Sequence, residues 1–251
     1  MKKIILDKDS VHRGRLILTN KNYPIQGEDF IYPLSEVEYC GGKVYMETRA
    51  KRMLTELIAA VRGQGKIVTV SGYRTYEEQK HIYDTSLAEN GDVFTGKYVA
   101  LPNCSEHQTG LAVDLGICKD KIDFIRPDFP NEGVCKRFRH MASRYGYIQR
   151  YPQDKEKVTG IGWEPWHFRY VGFPHSEIMV RENLVLEEYV EFLKQYPHGE
   201  KSFTYHCGFR TVEISYKEFH EADRAVDIPE QCPFQVSGNN VDGVVVEVWK
   251  I

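Results

Sequence analysis

Along the chain the apolar positions change period several times, and each change marks an element. Between residues 46 and 61, Met46, Ala50, Met53, Leu54, Leu57, Ile58 and Val61 recur at helical spacing, which predicts a helix closed by Gly63. Residues 66–70 are a β-branched run that reads as a buried strand. Thr75 followed three residues later by Glu78 is a capping box, predicting a helix to about Leu87. Residues 88–105 carry the turn signals Asn90-Gly91 and Pro102-Asn103 and are expected to form a loop, long enough to serve as a lid. A second core strand is expected over 111–116, a helix over 134–145 ending at Gly146, and a third strand over 165–171. In that third strand, alternation sets Trp166, Phe168 and Tyr170 on one face and His167, Arg169 and Val171 on the other.

The flanks are less regular. Residues 15–19 are a short strand candidate, followed by Asn20, Asn22, Pro24, Gly27 and Pro33, which read as loop. After Gly172-Phe173-Pro174 comes a short helix within 175–196, then strands over 210–216 and 241–249. Helices mixed with an antiparallel sheet give an α+β fold. We expect a catalytic domain over 1–182 and a C-terminal α/β extension over 183–251, unless the late strands simply widen the main sheet.

Composition narrows the classes without naming a chemistry. A net charge of -3 offers no basic field for nucleic acid or anionic lipid, so neither is expected as a partner. The apolar run after Lys2-Lys3 stops at Asp7, too short for a secretory h-region, and no stretch reaches the ~18 apolar residues of a membrane span. A cytoplasmic location is the resulting expectation. The six cysteines (Cys40, Cys104, Cys118, Cys135, Cys207 and Cys232) include no C-x-x-C pair, so free thiols are expected rather than a cysteine metal site.

Three polar motifs interrupt the apolar pattern. In Ser105-Glu106-His107-Gln108-Thr109-Gly110-Leu111-Ala112-Val113-Asp114, a turn at Gly110 can fold His107 back beside Asp114. Asp114 stands in an otherwise apolar run, where an unpaired carboxylate is costly and a cation removes the cost. In Glu164-Pro165-Trp166-His167, His167 completes a His/Asp/His set with one coordination position open, the form of a catalytic zinc site. Glu164, held apart by Pro165, is placed to take a proton as general base. Taken singly, His107 also reads as a hydrogen-bonded structural histidine and Asp114 as an ion-pair partner. In Ser71-Gly72-Tyr73-Arg74, at the end of a strand, Arg74 suits a substrate carboxylate or a developing oxyanion, or else pairs with Glu77 or Glu78.

The blocks S-G-Y-R, S-x-H-x-x-G-x-A-x-D and E-x-W-H, in this order, resemble the VanX/VanY zinc D,D-peptidase family. The stretches 99–103, 122–130 and 164–172 look like its VanXY-type bifunctional D,D-dipeptidase/D,D-carboxypeptidases, and Ile228-Pro229-Glu230 with Ser237-Gly238-Asn239-Asn240 look like the tail of the G-type members. The resemblance implies the hedgehog/D,D-peptidase-like fold, a central antiparallel sheet with flanking helices. It implies one Zn²⁺ on His107, Asp114 and His167, Glu164 as catalytic base and Arg74 as oxyanion stabiliser. It also implies that Ser105 and Gln79 hold the terminal carboxylate of the substrate. Those substrates are D-Ala-D-Ala and UDP-MurNAc-pentapeptide, whose hydrolysis contributes to vancomycin resistance. Two other readings share the fold: an endolysin-like L-Ala-D-Glu peptidase, and a non-catalytic zinc-stabilised binding module.

Overall fold

The computed structural model describes residues 1–26, 33–39 and 42–250, so Gly27 and Cys40 lie outside it. The strands are β1 (Lys2–Ile5), β2 (Leu34–Tyr39), β3 (Gly42–Glu47), β4 (Ile67–Ser71), β5 (Ala112–Ile117), β6 (Tyr147–Tyr151), β7 (Glu164–Tyr170), β8 (Phe203–Cys207), β9 (Arg210–Glu218), β10 (Ala225–Ile228), β11 (Phe234–Gly238) and β12 (Gly243–Lys250). The helices are α1 (Thr48–Ala60), α2 (Tyr76–Tyr98), α3 (Gly133–Met141), α4 (Glu156–Thr159), α5 (His175–Arg181) and α6 (Leu186–Leu193).

The chain divides into two compact units. One is built around residues 33–185; the other joins Met1–Thr19 to residues 186–250. The first residues belong with the last because β1 pairs antiparallel with β10, Lys2 opposite Ile228. Leu6 then packs with Val226, Ile228, Val244, Val246 and Val248 in a core of that unit's own. The late strands form a separate antiparallel sheet, β11-β12-β9-β8, and do not widen the main one. The expected strand over 15–19 is absent. Leu16, Ile17 and Leu18 are buried there, but Leu16 N–H donates to the Ser237 hydroxyl and Leu18 N–H to Asn239 O, so no ladder forms.

In the larger unit a four-stranded antiparallel sheet, β4-β5-β7-β6, carries the three motifs. Val113 and Leu115 of β5 join Trp166, Phe168 and Tyr170 of β7 on the face that packs against α1 and α3. Phe129, Phe138 and Phe168 meet edge-to-face at centroid distances of 4.9–5.6 Å, the geometry aromatic rings prefer. Helix α1 begins at Thr48, with Glu47 accepting from Arg49 N–H and Ala50 N–H, because Met46 and Glu47 are drawn into the β2–β3 hairpin.

The expected loop over 88–105 is mostly helix. α2 runs on to Tyr98 through a kink at Gly91, whose φ of 75° only glycine adopts readily. A buried hydrogen bond of 2.8 Å between Ser86 and Thr95 ties the two limbs. Few apolar residues mark this helix, since its buried positions are Gln79, Ser86 and Thr95. The 3₁₀ turn Glu106–Thr109 closes on Gly110, with φ 70°. Gly110 O accepts Glu47 N–H at 2.8 Å, and an added Cβ would lie 3.0 Å from Leu34 and 3.2 Å from Glu47 N. Gly110→Ala therefore loses about 1–3 kcal/mol from left-handed strain alone. Urea unfolding measures it, and an unchanged midpoint would contradict the constraint.

Candidate metal centre

Strand register builds the centre. In the β5–β7 ladder Asp114 lies directly opposite His167. Across β4, Ser71 pairs with Asp114 after a bulge, which turns Gly72 toward the returning histidine turn. The Gly110 turn then brings His107 over the strand end. One donor atom from each of His107, Asp114 and His167 lies within 4.8 Å of the others, and all three residues are buried.

Each imidazole is held at both ends. His107 sets Nδ1 2.7 Å from Gly72 O and Nε2 3.1 Å from Asp114 Oδ2. His167 sets Nε2 3.5 Å from Glu106 Oε2 and Nδ1 3.0 Å from Asp114 Oδ1. One nitrogen of each ring thus faces an outer acceptor and the other converges on a shared carboxylate, as metal-ligating histidines do. Two imidazoles and one carboxylate suit zinc and also other N/O-binding transition metals. The residues fit such an ion.

All seven residues singled out from the sequence line one cavity of about 390 Å³: His107, Asp114, His167, Glu164, Arg74, Gln79 and Ser105. Glu164 Oε2 lies 3.7 Å from His167 Nδ1. Arg74 Nε is buried without a hydrogen-bond partner among the described residues, as is Gln79 Oε1. Gln79 Nε2 donates to Ala100 O at 2.7 Å. Ser105 precedes the 3₁₀ turn but does not cap it. The 85–100 segment does border the cavity, as helix and strap rather than as a long loop.

Three further buried charges, not singled out from the sequence, adjoin this cavity, and Glu106 lines it. Glu106, Arg150 and Arg169 are buried side by side, with Glu106 Oε1 2.7 Å from Arg150 Nε and 2.9 Å from Arg169 Nη1. Arg150 comes from β6, where the register against β7 shifts between Gln149 and Tyr151, and the short run carries no clear period-2 signal. Among the described residues the cysteines are unpaired, and burial pushes the Cys104 thiol up.

The charges set different proton affinities on similar groups. Burial and then the Arg74 cation lower His107 to about 4, against the pull of Asp114. Burial also disfavours the charged form of His167, but hydrogen bonds with Asp114 and Glu106 outweigh it and raise the ring to about 9. Burial would raise Asp114, yet its two histidine contacts hold it well below the usual carboxylate range. Burial pushes Glu164 up to about 8, against the pull of His167 and Arg74.

In metal-stripped protein this last shift has a definite sign. The unfolded chain ionises Glu164 near its ordinary 4.5 while the folded state holds the proton to about 8, so folding loses stability as pH rises between those values. Glu164→Gln removes that loss. Its melting temperature should exceed wild type at pH 8, with the gap closing toward pH 5. A gap independent of pH would contradict the shift.

Residues 43–173 match the VanY family, described as D-alanyl-D-alanine carboxypeptidase. The chain is 41% identical to the bifunctional D-Ala-D-Ala dipeptidase and D-Ala-D-Ala carboxypeptidase VanXYC of Enterococcus gallinarum, over 72% of this chain and 95% of that one. Its structure superposes on the vancomycin-resistance D,D-dipeptidase VanXYg, solved with a D-Ala-D-Ala phosphinate analogue, with a TM-score of 0.96 and 46% identity over 99% of both chains. A VanY D,D-pentapeptidase variant from a VanB-type resistance cassette, solved with Zn(II), matches with a TM-score of 0.59 and 34% identity over 70% of this chain and 98% of that one. The family match spans the turn and both strands that carry the candidate ligands, and this chain belongs to the VanY family of D-alanyl-D-alanine carboxypeptidases.

Proposed function

We propose that the chain is a zinc-dependent D,D-peptidase that hydrolyses D-Ala-D-Ala and removes the terminal D-Ala from UDP-MurNAc-pentapeptide, and so contributes to vancomycin resistance. The observation that carries this reading is the convergence of His107, Asp114 and His167 with Glu164 and Arg74 in one buried cavity. Similarity to VanXYC and VanXYg supports the choice of substrate. The reading puts one zinc in each chain and the enzyme in the cytoplasm, where both substrates are made. Among the described residues no helix is long and apolar enough to cross a membrane.

His107, Asp114 and His167 would hold the zinc, which would supply Lewis acidity to activate water and polarise the scissile carbonyl. Glu164 takes the proton of the attacking water and returns it to the amine of the leaving D-Ala. A carboxylate in that place can both accept the proton and deliver it. Arg74 stabilises the negative charge that grows on the scissile carbonyl oxygen, with an Nε donor left unmatched among the described residues. Ser105 and the second N–H of Gln79 hold the terminal carboxylate, while Ala100 O fixes the Gln79 amide in place. Ile82 and Ile161 give the cavity apolar wall for D-Ala methyl groups. Such a wall refuses the hydroxyl of a D-Ser end only modestly. The catalytic carboxylate Glu164 counts against a purely binding role.

Metal content should be one zinc per chain, and chelation should abolish D-Ala release from D-Ala-D-Ala and from the pentapeptide precursor. Glu164→Ala should keep the zinc and lose at least ~100-fold in kcat. His167→Ala should purify with substoichiometric metal. Cell-wall lysis without D-Ala release, or near-normal turnover by the Glu164 variant, would overturn the assignment.

A further inference from the structure

Building on the zinc reading, we infer that Glu106 is a positioning residue that makes His167 a ligand through Nδ1, and that Arg150 and Arg169 exist to hold Glu106 in that role. Its side chain is fully buried and its two oxygens are divided between two tasks. Oε1 takes both cations, Arg150 at 2.7 Å and Arg169 at 2.9 Å, each guanidinium itself fully buried. Oε2 is left to face His167 Nε2 at 3.5 Å.

A neutral imidazole carries one N–H, and an ionised carboxylate only accepts. When zinc takes the Nδ1 position, Oε2 therefore selects the Nε2–H tautomer and frees the Nδ1 lone pair for the ion; without the ion Nδ1–H donates to Asp114 Oδ1 at 3.0 Å. Without the Glu106 acceptor the proton can stay on Nδ1, donated to Asp114, and the ligand position is blocked. The two histidines reach the same point by opposite nitrogens. His107 uses Nε2 because Gly72 O takes its Nδ1–H; His167 uses Nδ1 because Glu106 takes its Nε2–H.

Geometry also explains the arginines. A lone buried carboxylate is expensive, and cations on both sides offset the cost while fixing the carboxylate plane. Arg169 stands two residues from His167 on the same face of β7, and Arg150 reaches in from neighbouring β6. Glu106 is the residue before His107, so one 3₁₀ turn delivers both a ligand and the group that orients the other histidine.

Two measurements test this. On the zinc-loaded wild-type protein, ¹⁵N-histidine NMR should show one zinc-bound imidazole protonated at Nε2 and coordinated through Nδ1, absent in His167→Ala. In Glu106→Gln, the amide oxygen stays with the arginines and the NH₂ faces Nε2, which inverts donor and acceptor. Zinc affinity, read by competition with a chromogenic chelator, should then fall 10–100-fold. Zinc bound to His167 through Nε2 overturns the proposal, as does a folded Glu106→Gln chain with unchanged affinity. A variant that fails to fold leaves the decision to the wild-type spectrum. A wild-type chain that binds no zinc removes the metal reading as well, whereas the wrong nitrogen removes only this one.

Discussion

The structure of the larger unit depends on one buried carboxylate. Asp114 sits in the middle of an apolar strand, 7% exposed, with an imidazole against each oxygen. An isolated charge in that position would cost several kcal/mol, so the surroundings must supply partners at fixed places. The β5–β7 register supplies His167 directly opposite. The left-handed turn at Gly110 supplies His107. A shift of one residue in either strand would send Asp114 or His167 into the aromatic core and a core residue into the cavity.

That core is what makes the register hard to change. Val113, Leu115, Trp166 and Phe168 fill the far face of the same two strands, and the phenylalanine trio locks β7 against α3. Packing and chemistry thus specify the register independently and agree. Ligands mounted on strands whose opposite face is fully packed are held more precisely than ligands on loops. His107 is the exception, and it is secured from behind by Gly72 O and through its own carbonyl by Arg74 N–H.

Charge is arranged in two layers. Around the cavity, Glu164 and Arg74 face the place where a substrate would lie, one raised toward neutrality by burial and the other with a buried donor unmatched. Beside them, Glu106, which also lines the cavity, forms a buried ion-paired cluster with Arg150 and Arg169. The first layer resembles groups awaiting a reactant; the second is an ion-paired cluster buried on every side.

How much of this was legible beforehand follows from the range of each interaction. Periods of 2 and 3.6 are local, so β4, β5, β7, α1 and α3 were readable within a few residues, and the motif order marked the ligand candidates and Glu164. Local signals failed where tertiary contacts decide. Asn90-Gly91 reads as a turn, yet α2 continues because Ser86 and Thr95 bond across the kink. Residues 15–19 look like a strand but find side-chain and loop partners instead. The pairing of β1 with β10 joins residues more than two hundred apart and leaves no local trace. The sequence by itself determined which side chains can bind a metal and which face of β7 they occupy, because alternation is a property of the backbone. Only the tertiary structure decided which ring nitrogen faces inward and that Glu106, Arg150 and Arg169 meet beside it, because hydrogen-bond partners from separate strands are chosen by the fold and not by neighbours in the chain.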